Sequence, residues 1–283
     1  MTDQNLISAA ELAGHLDDPQ LLVVDCRSEL TDHDWGRRQY DAGHVPGAVY
    51  ASLETALSGP VTATSGRHPL PSPEGFAQTL AAWGVGPGTR VVGYDQGHGA
   101  YAARLWWLLR AVGRPRVQVL DGGFAAWTKA GHAVATTPAA RTPVPVEART
   151  FAGWLTTTEV EAARVRGDLV FVDARGADRY AGQNETIDPV AGHLPGARNR
   201  PFLQNLGADG LFLPPATLRD AWRGLLGGAD AASVVAMCGS GITACHNLLA
   251  LERAGLKGAR LYAGSWSEWI RDPARPVATG PTP

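Results

Sequence analysis

The sequence predicts an α/β protein made of two copies of one domain, each a parallel sheet flanked by helices. The length of 283 residues exceeds that of a typical single domain. Short apolar runs alternate with helical stretches, which is the pattern of a parallel sheet with crossover helices. Segments of the first half also recur in the second half. Together these observations indicate a duplicated α/β domain.

Four short segments recur in the same order at a nearly constant distance. The distance between matching residues ranges from 142 (Trp127 to Trp269) to 149 (His44 to His193). A period this long indicates a duplicated domain, because solenoid repeats are much shorter. The matching segments are 22–27 and 170–175, 43–48 and 192–197, 90–95 and 233–238, and 122–127 and 264–269.

The predicted elements follow from apolar runs and glycine stops. Residues 21–27 and 169–175 are apolar runs that end in polar residues, as buried parallel strands do. The runs 89–95 and 232–238 have the same form. Two helical stretches, 100–113 and 242–255, are closed by glycine. Ligands of such sheets bind where strands end and helices begin.

A proline-rich stretch separates the two copies. Residues 136–145 contain three prolines and few large apolar side chains, which is typical of an extended linker. We therefore place an N-terminal domain at 1–135, a linker at 136–152 and a C-terminal domain at 153–283.

Composition excludes several functional classes. The net charge of −2 offers no basic stripe for nucleic acid. No apolar run has membrane-spanning length, and the first residues lack the pattern of a signal peptide. Three cysteines, an odd and small number, predict no disulfide framework and fit a reducing cytoplasm, which is the predicted location. No cysteine or histidine spacing suits a metal, so we expect no metal or cofactor.

Cys238 is the strongest candidate for chemistry. It lies between the predicted strand 234–237 and a helix predicted over 244–254. Gly239 and Gly241 let successive backbone N–H groups turn toward one point, and the positive end of the helix adds to their effect. Both favour a thiolate, which is the nucleophilic form of cysteine.

The other two cysteines are predicted to be structural. Cys245 lies within the predicted helix among Ala244, Leu248 and Leu249. Cys26 follows a predicted strand, but its counterpart in the second copy is Ala174. A free cysteine in such a setting usually acts as a small core residue.

The chain resembles the rhodanese-like sulfurtransferases over nearly its whole length. The signature HVPGA at 44–48 returns as HLPGA at 193–197, and the C-terminal signature is similar to residues 121–124 and 263–266. Residues 238–244, Cys-Gly-Ser-Gly-Ile-Thr-Ala, resemble the active loop of the 3-mercaptopyruvate sulfurtransferase branch, where valine is usual at Ile242.

The resemblance implies sulfur transfer through a persulfide on Cys238. The donor would be a small anionic sulfur compound, and the acceptor a thiol, cyanide or a thioredoxin-like protein. Asp95 stands at the place of the cysteine in the first copy, and a carboxylate cannot carry a persulfide. The N-terminal domain is therefore expected to be catalytically silent.

The resemblance also implies roles for other residues. Arg179 matches an arginine that holds the anionic end of the donor, and its planar fork suits a carboxylate. Ser240 and His68 match a pair proposed to assist proton transfer, with Glu54 where a third, acidic member is usually aspartate. His44 and His193 are read as structural. The remaining loop residues, expected to contact the donor, are Gly239, Gly241, Ile242 and Thr243.

The identity of the donor stays open at this point. The 3-mercaptopyruvate branch usually has a second substrate arginine before its HLPGA signature, but residues 183–191 contain none. Arg198 and Arg200 are the nearest candidates to replace it. Thiosulfate is the alternative donor, although the loop lacks the added cations of dedicated thiosulfate enzymes, having Gly239 and Ser240 instead.

Two other classes compete with a sulfurtransferase. A cysteine phosphatase needs an arginine six residues after its cysteine, where this chain has Ala244. A non-catalytic sulfur-carrier or docking module is the second alternative, since one copy already lacks the thiol. The complete loop around Cys238 argues against that role for the whole chain.

Overall fold

The computed structural model describes residues 5–283 and divides into two units. The first unit holds the chain up to Pro60, Leu70–Ala152 and Ala208–Leu211. The second unit holds Val61–Pro69, Gly153–Gly207 and Phe212–Pro283. A segment of the first half of the chain therefore belongs to the second unit. Residues 1–4, which the sequence assigns to the N-terminal domain, lie outside the described residues.

The proline-rich stretch forms neither helix nor strand and packs along the first unit. The Val144 N–H donates to the Ala81 carbonyl at 3.1 Å, and the Ala152 N–H to the Ala111 carbonyl at 3.0 Å. The boundaries at 1–135, 136–152 and 153–283 remain a proposal about domains.

The first unit contains one parallel sheet of five strands in the order β1-β5-β4-β2-β3. Strand β2, which lies between β4 and the edge strand β3, is buried throughout, as its continuous apolar sequence predicts. The strands are β1 Leu6–Ile7, β2 Leu21–Asp25, β3 Ala48–Tyr50, β4 Arg90–Tyr94 and β5 Val117–Leu120. The helices are α1 Ala9–Ala13, α2 Trp35–Ala42, α3 Pro73–Ala82, α4 Ala100–Ala111 and α5 Gly123–Lys129.

The second unit repeats this topology with strand order β6-β10-β9-β7-β8, again all parallel. The strands are β6 Trp154–Leu155, β7 Val170–Asp173, β8 Arg198–Asn199, β9 Val234–Met237 and β10 Arg260–Tyr262. The helices are α6 Thr157–Arg166, α7 Ala177–Tyr180, α8 Pro215–Leu226, α9 Thr243–Arg253 and α10 Ser265–Trp269, with 3₁₀ turns at Phe202–Asn205 and Ala231–Ser233. The predicted fold class is confirmed.

A buried ion pair lies at the carboxyl end of β2 in the first sheet and of β7 in the second. The Arg27 guanidinium donates to Asp25 at 2.6 Å and to the Gly43 carbonyl at 2.6 Å. The second unit repeats this with Arg175 and Asp173, at 2.7 Å. These side chains are almost fully buried, so their charges depend on each other for compensation. The pair ties the strand end to the glycine before each HxPGA signature.

The two signature histidines stabilise turns. His44 Nδ1 lies 2.8 Å from the Tyr40 carbonyl oxygen, and His193 Nδ1 lies 2.8 Å from that of Tyr180. Each ring also stacks on the tyrosine, with centroids 4.0 Å and 3.7 Å apart. These contacts agree with the structural role expected from the sequence.

Candidate active site

Cys238 follows β9 and is buried within unit two. The Gly241 N–H donates to Cys238 Sγ at 3.1 Å, so the loop places a backbone dipole on the sulfur. Gly241 has φ of +81°, and a Cβ there would lie 2.4 Å from the Ala263 carbonyl oxygen. Only glycine suits this position. Helix α9 begins at Thr243, one residue earlier than predicted, and Ile242 is its N-cap.

Ser265 binds the backbone N–H of Cys238 through its hydroxyl. Its Oγ accepts the Cys238 N–H at 3.1 Å and donates to the Tyr262 carbonyl at 2.8 Å. Ser265 has a positive φ of 52°, which is strained for a residue other than glycine. The first copy has Gly123 here, with φ of 56°. Sequence reasoning missed Ser265, although this glycine-to-serine difference between the copies signals it.

The first copy shows what this kind of loop binds. Asp95 Oδ1 accepts the N–H groups of Gly97 at 3.0 Å and Gly99 at 2.9 Å, and Oδ2 accepts that of Tyr101 at 3.0 Å. Three backbone amides therefore surround one buried carboxylate. The Asp95 loop (residues 95–100) is an anion site occupied by its own side chain.

The Cys238 loop (residues 238–243) has the same length as the Asp95 loop. In both, the helix begins five residues after the residue that follows the strand: at Ala100 after Asp95, and at Thr243 after Cys238. The amides that hold Asp95 therefore correspond to those of Ser240, Ile242 and Ala244. The two backbones differ in detail, because the left-handed glycine is Gly99 in the first loop and Gly241, one place earlier, in the second, where its N–H donates to the thiol sulfur.

The structure brings His68 and Ser240 together. His68 Nδ1 lies 2.7 Å from Ser240 Oγ, and both residues are buried. His68 belongs to the segment Val61–Pro69 of the second unit, which explains how residues 172 apart in sequence meet. Glu54, the predicted third member, lies 3.4 Å from His33 in the first unit. Its part in a proton relay stays a prediction.

Two carboxylates hold Arg179. Its Nε and Nη2 donate to Glu185 at 2.9–3.1 Å, and Nη2 also donates to Asp188 at 3.1 Å. Both carboxylates are only 2% exposed. Asp188 binds a second guanidinium as well, that of Arg67. Sequence reasoning missed Arg67, Glu185 and Asp188. The one signal was the appearance of two acids where a second arginine was expected.

Arg198 and Arg200, the candidates for the second substrate arginine, make other contacts. Arg198 Nη1 donates to the Leu225 carbonyl at 2.5 Å. Arg200 Nε donates to Asn205 Oδ1 at 3.2 Å, and its guanidinium lies 4.7 Å from the centre of the Trp222 ring. These contacts give both guanidiniums a role in packing.

The other cysteines lie in environments that suit structural roles. Burial raises the pKa of the Cys26 thiol, and the charges of Asp25 and Asp95 raise it further. Cys26 therefore stays a neutral thiol at physiological pH. Cys245 is fully buried, and its Sγ–H donates to the Gly241 carbonyl at 3.2 Å. It supports the Cys238 loop from within α9.

Neither a metal-binding cluster nor a membrane-spanning helix occurs in the part of the chain that the structure describes. Among residues 5–283, no group of three or more histidine, cysteine, aspartate or glutamate side chains could hold a metal ion. No helix in that part of the chain has the length and apolar character needed to cross a bilayer.

A cysteine between a parallel strand and a helix, with a backbone N–H directed at its sulfur, suits thiol-dependent group transfer. The chain belongs to the rhodanese-like domain family, whose model matches residues 8–130 and 156–272. It is 49% identical to a Pseudomonas aeruginosa protein named "Probable 3-mercaptopyruvate sulfurtransferase", over 99% of this chain and 100% of the relative. The duplication, the cysteine loop and this similarity together identify a sulfurtransferase.

Other relatives carry both donor names. The thiosulfate sulfurtransferase of Rattus norvegicus is 33% identical over 89% of this chain and 86% of the relative. The solved structure of 3-mercaptopyruvate sulfurtransferase from Leishmania major covers 95% of this chain and 75% of its own, with a TM-score of 0.84 and 33% identity.

Proposed function

We propose that this chain transfers sulfur from 3-mercaptopyruvate to a thiol or to cyanide through a persulfide on Cys238. The correspondence between the two loops carries the proposal. An Asp95 oxygen lies two bonds beyond Cβ, as does the terminal sulfur of a cysteine persulfide. The amides of the Cys238 loop, with the Gly241 N–H that already donates to Sγ among them, would hold that sulfur as those of the first copy hold the carboxylate. Gly239 and Thr243 complete the loop.

The proposed reaction balances in two steps. The Cys238 thiolate attacks the sulfur of mercaptopyruvate, an S–S bond forms, and the C–S bond breaks. The electron pair of that bond leaves on the enolate of pyruvate, and the proton of the donor thiol passes through Ser240 and His68 to the enolate. An acceptor thiolate then attacks the terminal sulfur, and Cys238 leaves as the thiolate.

The donor is the part of the proposal most open to test. Thiosulfate needs no proton transfer, because its sulfur arrives anionic and sulfite leaves. The buried contact between His68 and Ser240 favours a donor whose thiol proton must move. Steady-state turnover of the wild-type protein with each donor, with cyanide as acceptor, tests the choice. Faster turnover with thiosulfate would assign the chain to the alternative class and leave the Cys238 chemistry in place.

Substitution of Ser240 or His68 by alanine is expected to lower turnover with mercaptopyruvate about ten-fold or more, and turnover with thiosulfate much less. The reason is that only the first donor needs the relay. Parallel assays of both variants with both donors measure the difference. Equal losses with the two donors would mean that the pair supports the loop and does not move protons.

Arg179→Leu is expected to raise the KM for an anionic donor by about ten-fold, with a smaller effect on kcat, because the guanidinium contacts the donor already in the ground state. This substitution also leaves Glu185 without its main partner. Arg179→Lys, which keeps the charge, and a thermal melt of both variants separate binding from folding. An unchanged KM in folded Arg179→Leu would exclude this role.

The acceptor and location follow from the same chemistry. A thioredoxin-like protein would supply the acceptor thiol, and a reducing cytoplasm would keep the three cysteines free. Asp95 leaves the N-terminal copy unable to carry sulfur. The competing role, a non-catalytic sulfur-carrier or docking module, predicts that incubation with a donor leaves no persulfide on Cys238. Mass spectrometry of the protein after incubation with each donor separates the two roles.

A further inference from the structure

We propose that Arg67 is a second guanidinium that binds the anionic end of the sulfur donor, and that Asp188 is the positioning residue that sets its place. The proposal rests on the sulfur transfer proposed above, and it names a residue outside the stretch where a second arginine was expected.

The segment that carries Arg67 is fixed to α10 by its backbone. The Arg67 N–H donates to Ser267 Oγ at 3.0 Å, and the Gly66 N–H donates to Glu268 Oε2 at 3.2 Å. Arg271 Nε donates to the Ser65 carbonyl at 3.1 Å. The same helix contacts the cysteine loop, because the Ser267 N–H donates to the Gly239 carbonyl at 2.8 Å. Ser267 therefore links the backbone of Arg67 to that of Gly239, the residue that follows Cys238.

The guanidiniums of Arg67 and Arg179 and the carboxylate of Asp188 lie close to Gly239. A Cβ on Gly239 would lie 2.9 Å from Arg67 Nη2, 3.7 Å from Arg179 Nη2 and 3.7 Å from Asp188 Oδ2. The absence of a side chain at this position therefore leaves room for both cations beside the cysteine. A donor whose sulfur reaches Cys238 would therefore have its anionic end near both guanidiniums.

Both guanidiniums keep donors available for a ligand. Arg67 uses Nη1 for Asp188, and its Nε and Nη2 make no hydrogen bond to the described residues. Arg179 Nη1 likewise has no partner among residues 5–283. The two side chains are 26% and 20% exposed, so a small molecule from solvent can reach them. A carboxylate or thiosulfate oxygen would complete this set of donors.

Arg67 also provides positive charge near the sulfur. Burial lowers the pKa of its guanidinium, whereas the negative charge of Cys238 raises it. A guanidinium remains protonated in proteins, so Arg67 stays cationic at physiological pH. Its charge acts on both the thiolate and an approaching anion.

Asp188 joins the two cations. Oδ1 accepts from Arg67 and Oδ2 accepts from Arg179, and the carboxylate is 2% exposed. A buried carboxylate between two guanidiniums offsets their mutual repulsion and fixes their separation. Asp188 is therefore expected to act through Arg67 and Arg179 and not by touching the donor.

Steady-state kinetics of full-length Arg67→Gln test the proposal. The KM for mercaptopyruvate and for thiosulfate is expected to rise about ten- to a hundred-fold, with a smaller change in kcat, because a charge-assisted ground-state contact is lost. The KM of Arg67→Lys is expected to lie between that of the wild type and that of Arg67→Gln, because lysine keeps the positive charge but lacks the planar guanidinium with its paired N–H donors. Arg166→Gln removes an equal charge from an exposed pair with Asp168 and is expected to leave KM unchanged. An unchanged KM in Arg67→Gln would overturn the proposal.

Binding gives a readout that does not require turnover. Calorimetry would measure the Kd of thiosulfate and of pyruvate with the Cys238→Ser protein, with and without Arg67→Gln. The added substitution is expected to weaken binding by the same factor as it raises KM. Discharge of a preloaded persulfide to dithiothreitol is expected to change less than KM does, because this acceptor has no carboxylate or sulfonate end for Arg67 to bind. Equal Kd values for the two proteins would also overturn the proposal.

A double-variant cycle tests the role of Asp188. Asp188→Asn is expected to raise KM several-fold. The double variant Arg67→Gln with Asp188→Asn is expected to raise KM by less than the product of the two single increases, because Asp188 acts partly through Arg67. An increase in KM equal to that product would overturn the positioning role of Asp188. If the wild-type protein forms no Cys238 persulfide with either donor, the proposed function fails. If it forms the persulfide and Arg67→Gln matches the wild type, only the role of Arg67 fails.

Discussion

Replacement of Cys238 by serine is expected to abolish sulfur transfer with every donor while the protein stays folded. A serine oxygen cannot form a persulfide, and its hydroxyl does not ionise near neutral pH. The side chains are similar in size, so the contact with the Gly241 N–H can persist. Turnover should fall by at least about three orders of magnitude. Steady-state assays and the mass of the protein after incubation with a donor would measure this loss.

The other cysteines provide matched controls. Cys26→Ala is expected to retain turnover, since burial raises the pKa of that thiol and keeps it neutral. Cys245→Ala is also expected to retain turnover, although it loses the hydrogen bond to the Gly241 carbonyl. Cys245→Ser, which keeps a hydrogen-bond donor of similar size, is the control for that loss. Near wild-type turnover in Cys238→Ser would contradict the assignment of the nucleophile. A folded but inactive Cys26→Ala would contradict the structural role of Cys26.

Gly241→Ala is expected to lower turnover by about a hundred-fold or more. Its φ of +81° is unfavourable for alanine, and the new Cβ would lie 2.4 Å from the Ala263 carbonyl oxygen. The backbone of the loop must therefore move, and the N–H directed at Cys238 Sγ moves with it. Displacement of a reacting group by about 1 Å can by itself cost a hundred-fold in rate. Steady-state kinetics with a thermal melt of the variant test this expectation.

Gly196→Ala is the control for this substitution. Gly196 has a similar φ of +85°, but nothing lies within 4 Å of a Cβ there. Gly196→Ala should therefore carry the same backbone conformational cost as Gly241→Ala, about 1–3 kcal/mol, without a steric clash of the new Cβ. We expect it to lower the melting temperature and leave turnover nearly unchanged. If both variants lost the same activity, backbone strain alone would explain the effect, and the loop geometry would not.

The sequence determined the features that depend on short-range patterns and on duplication. Buried parallel strands are continuous apolar runs, so β2, β4, β7 and β9 could be predicted, and their recurrence revealed two copies of one fold. Cys238 could also be predicted, because a strand, a glycine-rich loop and a helix adjoin in the chain.

Only the tertiary structure decided what surrounds the cysteine. Arg67 and Asp188 are 121 residues apart in sequence, and no local pattern predicts that they meet above Gly239. They meet because the segment Val61–Pro69 packs with the second unit, where the hydroxyl of Ser267 and the carboxylate of Glu268 accept its backbone N–H groups. Periodicity encodes which face of an element is buried, whereas contacts between distant loops depend on the complete arrangement of the chain. For this reason the nucleophile could be predicted from the sequence, but the second guanidinium could not.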